Sequence, residues 1–285
     1  METWRRTDES ADSLGAAEKH ETSECNAPAA GNRFEVEEGE SDRDVYILVD
    51  EVEVCARILS QILDSPGARG GGAGVEVAID FEGEELCREG ELCLVQVAKR
   101  GGPVILLDIV VMGQPAFDEG RLKELLECPQ VRKIGFDGRA DADALFHLHG
   151  CEINNFYDVQ VAFGVWKDNK DKRWDPYVKG LKRAFSSSKR ISEETKSAMT
   201  ALQDEGRKLF APELGGSYDA WRRRPMDPRL MRYAAADVQF LHIMKDEWGG
   251  AISDADMAFI AGERIREAIH GDFASKGKSK ALKDF

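Results

Sequence analysis

The sequence predicts an α/β fold, a mixed sheet with flanking helices followed by a helical C-terminal half. Three observations predict it. Three strand-like runs, VEVAIDFE (75–82), LCLVQVA (92–98) and PVILLDIV (103–110), follow one another through short glycine-containing connections that suit antiparallel hairpins. Helix and strand patterns then alternate, which packs helices on a sheet. From about residue 155 the apolar periodicity is helical.

Residues 1–44 carry 13 acids and 5 bases, a net −8, with almost no apolar periodicity, and are expected to form a disordered acidic tail. Order is expected from Val45, where VYILV reads as a short strand. DEVEVCARILSQIL then places Val52, Ala56, Leu59 and Ile62 or Leu63 on one helical face. SPGARGGGAG (65–74) lacks both the Gly-Lys-Ser/Thr ending of a phosphate loop and the GxGxxG spacing, and it precedes a strand, so it reads as a flexible connector. After the three strands, Phe117–Glu127 reads as a helix that Asp118 can cap, VRKIGF (131–136) as a fourth strand, and ADADALFHLHG as a helix stopped by Gly150. Asp227-Pro228 is a good N-cap and first-turn pair for a long helix reaching about Trp248. Ser253–Ile269 reads as the last helix and GKSKALKDF as a frayed basic end. These boundaries divide the chain into a tail (1–44), one domain (45–270) and a flexible basic tail (271–285).

Composition narrows the function. Over 285 residues, 53 acids against 39 bases give a formal net charge of −14, which excludes a histone-like polycation and requires any nucleic-acid contact to be local. No run approaches the roughly 18 apolar residues that span a bilayer, and the polar start lacks a signal-peptide core, so the expectation is a soluble intracellular protein, cytoplasmic or nuclear, with no membrane partner. The six cysteines form no CxxC pair and read as free thiols. His147 and His149 point to different helical faces, which argues against a zinc site.

The informative residues are carboxylates at positions that should be apolar. On the strand VEVAIDFE, alternation puts Asp80 and Glu82 on one face and Val75, Val77, Ile79 and Phe81 on the other. Two carboxylates side by side repel unless a cation, most naturally a hard divalent metal, lies between them. Asp141 starts the stripe Asp141, Leu145, Leu148, whereas Asp143 is rotated about 200° away and is expected to face water. Asp237 interrupts the stripe Leu230, Tyr233 or Ala234, Leu241, Met244, with Tyr233 one turn before it. A buried acid there must be protonated, paired or metal-bound, and Arg222 to Arg224, Arg229 and Arg232 are near enough in sequence to pair with it. Taken together, these acids fit a metal-dependent nuclease holding two divalent ions ~4 Å apart. A tyrosine beside the last acid, with a pKa of about 10, could orient the attacking water.

Asp80-x-Glu82 in AIDFEG followed by LCLVQVA, Asp141 in KIGFDGRADADALF, and Tyr233-x-x-x-Asp237 in YAAADV resemble the three motifs of the DEDD 3′-to-5′ exonuclease superfamily. More narrowly, the chain resembles the tyrosine-type branch, which includes RNase D and the exonuclease-domain-containing proteins. Arg232 stands where the histidine-type branch needs His. The resemblance covers roughly residues 45–250, including YDVQVAF and WRRRPM. It implies a ribonuclease H-like fold, catalytic residues Asp80, Glu82, Asp141, Tyr233 and Asp237, and two Mg²⁺ or Mn²⁺ ions held by Asp80, Glu82, Asp141 and Asp237. The implied reaction removes nucleoside 5′-monophosphates from single-stranded RNA or DNA. The second motif departs from the pattern in crowding Asp137 beside Asp141 and Asp143, and no appended helical nucleic-acid-binding domain of the RNase D kind is visible.

Lys167 to Arg190 holds 9 bases and 3 acids, interleaved with Trp174, Tyr177 and Phe185 and preceded by Trp166. Bases with aromatics can hold phosphates and stack unpaired bases, which suits a single-stranded partner. Phe81 is expected in the core. Two rival functions remain: a weak or inactive RNA-binding adaptor on the same fold, and a ribonuclease H-like endonuclease.

Overall fold

The computed structural model describes residues 46–69, 74–271, 283 and 285. The acidic tail, the centre of the glycine-rich connector and most of the basic C-terminal end lie outside them. A short strand, β1 (Tyr46–Val49), leads into α1 (Val52–Leu63), whose Cys55, Leu59, Ile62 and Leu63 are buried. The expected hairpins follow as β2 (Val75–Glu84), β3 (Glu91–Lys99) and β4 (Val104–Asp108), each antiparallel to the next.

The single helix expected over Phe117–Glu127 is instead broken. After α2 (Ile109–Met112) come α3 (Pro115–Asp118) and α4 (Leu122–Glu127). At Gly120 an added Cβ would lie 2.4 Å from the Ala116 carbonyl, and Arg121 takes a φ of 65°, so the chain turns sharply there. Phe117 and Leu122 are both buried, and the apolar periodicity therefore runs across the break and hides it from sequence reading.

β5 (Val131–Gly135) pairs parallel with β2, α5 (Arg139–His149) ends at Gly150 in the left-handed region, and β6 (Phe156–Asp158) closes the sheet. The strand order is β1-β4-β3-β2-β5-β6, so the strand carrying Asp80 and Glu82 is interior, with β3 and β5 as neighbours. The helical remainder comprises α6 (Val159–Asp171), α7 (Leu181–Ser187), α8 (Glu193–Phe210), α9 (Pro228–Gln239), α10 (Leu241–Trp248) and α11 (Asp254–His270). Asp227 caps α9 as expected, accepting from the Arg229 amide, but the long helix is interrupted at Phe240. No helix among the described residues is long and apolar enough to cross a membrane.

Asp143 also departs from expectation. It is buried, not solvated, and accepts from the Arg88 backbone N–H at 2.7 Å and from Arg88 Nε at 2.8 Å. The same guanidinium reaches the carbonyls of Ala268 and Ile269 at the end of α11. An arginine 55 residues away turns a face read as polar into an interface. His147 and His149 go to separate partners, the Ile269 carbonyl and the Gln114 side chain. The five cysteines among the described residues are free thiols.

Candidate metal centre and active site

Asp80 and Glu82 sit on β2 opposite Gln96 and Leu94 of β3. Phe81 between them is buried, as alternation requires. Immediately after Glu82 the β2–β3 register shifts at Gly83, where an added Cβ would stand 1.9 Å from the Glu91 carbonyl. Only glycine fits this bulge, which bends the strand next to the two carboxylates.

Helix α9 packs on β2, β3 and β4 and brings Asp237 to the acids of β2. One carboxylate oxygen from each of Asp80, Glu82 and Asp237 lies within 4.8 Å of the others, although 155 residues separate Glu82 from Asp237. Burial is the largest influence on Glu82, followed by the charges of Asp80, Asp237 and Asp141, and together they hold its carboxyl well above the usual carboxylate range. The Asp237 carboxyl is pushed up to about 6 by burial, opposed by hydrogen bonds from Gln203 and Tyr233. Divalent cations fit this donor set: hard oxygens, crowded and desolvated, whose mutual repulsion a 2+ charge would relieve.

Tyr233 is one turn before Asp237 and hydrogen-bonds to it. Burial and the neighbouring carboxylates push its phenol well above the usual range, so it stays protonated. Its ring is held by Phe210, at 5.1 Å between centroids, and by Trp221 at 6.1 Å. Gly206 of α8 lies against it so closely that an added Cβ would come 2.6 Å from the Tyr233 Cβ.

The structure separates the crowded acids of the second motif. Asp137 is tied to Arg139, Nε to Oδ1 at 2.6 Å, and to Arg264, while Asp143 is tied to Arg88. Asp141, at the start of α5, is the one whose charge acts on Glu82. It is not among the three acids of the tight group.

Four of the five arginines near Asp237 in sequence pair with other acids, and the charge of the fifth, Arg232, acts on Asp227. Arg222 pairs with Glu84 and Glu91, Arg223 with Asp219, and Arg229 with Asp227. Arg224 clamps the buried Asp108 at the end of β4 with two contacts, at 2.5 and 2.6 Å. Asp237 instead accepts from Gln203 Nε2 of α8 at 2.7 Å. Sequence reasoning missed Gln203. The available signal was Gly206 inside a helical stretch, three residues on and on the same face.

The 167–190 segment also resolves residue by residue. Phe185 is buried against Phe240, and Trp166 packs with Phe163 and Trp248. Trp174 and Tyr177 are 63% and 50% exposed. Lys182 of α7 pairs with Asp204, the residue after Gln203, so α7 runs beside the stretch of α8 that reaches Asp237.

Comparison with known proteins shows the family and the fold. Residues 46–248 match the 3′-5′ exonuclease family DNA_pol_A_exo1. The piRNA biogenesis protein EXD1 of Mus musculus is 29% identical over 170 residues, 58% of this chain and 27% of the relative. EXD1 of Xenopus laevis is 27% identical over 238 residues, 79% of this chain and 50% of the relative. The chain thus spans half or less of these relatives' length. Among solved structures, Trypanosoma brucei RNase D in complex with RNA U12 superposes with a TM-score of 0.64 at 18% identity, covering 84% of this chain and 76% of that one. The GMP complex of the same enzyme gives 0.62 at 19% identity, covering 83% and 69%. These likenesses establish the ribonuclease H-like arrangement of a mixed sheet with flanking helices. With acids meeting on β2 and α9 and the family match spanning both, the chain belongs to the 3′-5′ exonuclease domain family of nuclease hydrolases.

Proposed function

We propose that this chain is a tyrosine-type, metal-dependent 3′-to-5′ exonuclease that releases nucleoside 5′-monophosphates from single-stranded RNA or DNA. One observation carries the reading: oxygens of Asp80, Glu82 and Asp237 gather within 4.8 Å, with the Tyr233 side chain hydrogen-bonded to Asp237. Asp80, Glu82, Asp237 and Asp141 are the residues that would hold Mg²⁺ or Mn²⁺. Two such ions supply a hydroxide nucleophile and charge stabilisation at the leaving oxygen.

The chain's own groups supply the rest. A Tyr233 hydroxyl that stays protonated can donate to a carboxylate or accept from a water, and so orient the nucleophile. Burial and the neighbouring acids favour the neutral form of Glu82, and a cation held among them would favour its charged form. Exposed Trp174 and Tyr177 offer stacking faces, and Arg183 of α7 and Lys189 just after it offer phosphate contacts. The RNA complex of the Trypanosoma brucei neighbour and the name of the EXD1 relatives both favour RNA.

The test uses 5′-labelled single-stranded RNA and DNA with Mn²⁺. A ladder of shortened products, abolished by Asp80→Ala, is expected. A shifted band without shortening from folded protein would make the chain a binding adaptor. Cleavage that survives a blocked 3′ hydroxyl would make it an endonuclease.

A further inference from the structure

Asp237 reaches the carboxylate cluster from a helix otherwise packed on the sheet by apolar residues. Four arginines near it in sequence have their charges spent on other acids. The groups that donate hydrogen bonds to Asp237 are neutral: the Tyr233 hydroxyl and the Gln203 amide. A neutral donor suits a metal ligand, because an arginine or lysine there would cancel the charge the cation needs. An amide N–H fixes the direction of one oxygen and leaves the negative charge in place.

The orientation of the Gln203 amide follows from its partner. A carboxylate can only accept, so the Nε2–H₂ end faces Asp237 Oδ1 at 2.7 Å. The carbonyl end is then turned away, and Gln203 Oε1 is buried with no donor in reach. A buried carbonyl oxygen without a partner is costly, and the natural donor beside a cation-binding carboxylate is a water of the ion's own shell. Gln203 lies three residues before Gly206, on the face of α8 that also seats Tyr233. One helix face outside the three motifs therefore supports both α9 residues of the site.

Resting on the metal-centre reading above, we infer that Gln203 is a positioning residue for that centre. Its N–H fixes one oxygen of Asp237 so that the other faces the cation, and its Oε1 accepts from water bound to that cation. This makes α8 the element that tunes metal affinity.

The test compares wild type with Gln203→Leu and Gln203→Met. Mn²⁺ binding is followed by the EPR signal of free Mn²⁺, and folding by melting temperature in EDTA. Partners that orient metal ligands typically contribute 10- to 100-fold in affinity, and a loss of about tenfold or more is expected. The melting temperature in EDTA is expected to hold within a few degrees, and kcat at saturating Mn²⁺ to fall far less than the affinity. In an Asp237→Asn background, Gln203→Leu should have no further effect on Mn²⁺. Unchanged Mn²⁺ affinity in a folded variant overturns the inference. So does failure of both variants to fold, which would make Gln203 a residue of the core. Absence of Mn²⁺ binding by wild type would overturn the metal-centre reading itself, a separate outcome.

Discussion

The acids of the cluster work against folding when no cation is present. A carboxylate whose folded pKa is raised binds its proton more tightly in the folded chain than in the unfolded one. Stability therefore falls as pH climbs from the unfolded value, about 4, through the folded value, and stays low above it. For Asp237 that window ends near 6, and the Glu82 carboxyl is raised in the same direction by burial and its acidic neighbours. Other groups titrate nearby: burial holds His149 and His242 below the usual histidine range, which costs stability as pH drops below about 6.5. Asp64, Asp204 and Asp246 are held low by Arg or Lys partners, and their contribution disappears only under more acid conditions. Comparing two proteins at each pH cancels these shared contributions. Glu82→Gln is expected to melt higher than wild type in EDTA, and the gap should widen between pH 5.5 and pH 8. Mn²⁺ should raise the wild-type melting temperature more at pH 8 than at pH 5.5, and should leave the variant nearly unmoved. Differential scanning fluorimetry reads all of these, and a gap that shrinks with pH would show that repulsion does not govern the cluster.

Two elements outside the motifs hold the cluster in place, and each makes a prediction. Alanine at position 206 gains about 1 kcal/mol of helix propensity over glycine. Its Cβ, however, would lie within 2.9 Å of Cβ, Cγ and Cδ2 of Tyr233, the root of a ring wedged against Phe210 and Trp221. That root cannot swing aside as a flexible tip would, so an overpacking cost of about 1–3 kcal/mol wins. Gly206→Ala should lower the melting temperature by several degrees and cut exonuclease turnover more than it weakens substrate binding, measured as kcat against KM. The second element is the WRRRPM stretch, whose Arg224 holds Asp108 at 1% exposure while Asp108 caps α2 through the Val111 amide. Arg224→Met leaves that carboxylate buried without its counter-charge, so a loss of about 3–5 kcal/mol is expected, seen as a lower urea midpoint with an unchanged slope. Gly206 stands out in the sequence as a glycine inside a helix. The Asp108–Arg224 pair does not, because nothing local relates residues 116 positions apart.

At the scale of the molecule, the sheet, its hairpins and the three acids that gather were legible because strand alternation and helical period act over a few residues. Asp237 stood out because it interrupts its own apolar stripe, and Asp80 and Glu82 because they set two carboxylates side by side on one strand face. Hidden were the features set by distant partners: Arg88 drawing Asp143 inward, the tight turn at Gly120, and Gln203 reaching Asp237 from another helix. The same distinction governs nucleic-acid binding. A net charge of −14 repels a polyanion, so attraction must be local, and on the proposed reading it comes from the 9 bases of residues 167–190. Three of these, Lys167, Lys179 and Lys182, are engaged by Asp171, Asp175 and Asp204, which leaves six for phosphate. Each phosphate neutralised on a single strand contributes about −0.7 to the slope of log K against log salt, so the slope should not exceed about −4 in magnitude. Replacing Arg183 and Lys189 with Gln should reduce that slope by about 1.4. Trp174→Ala and Tyr177→Ala should instead leave the slope unchanged and lower affinity by about 1–3 kcal/mol for each stacked base. Fluorescence anisotropy on a labelled oligonucleotide, with Asp80→Ala protein to prevent cleavage, separates the two effects. If the aromatic variants bind as well as their parent while the charge variants lose slope, strand capture at this surface is purely electrostatic and stacking plays no part.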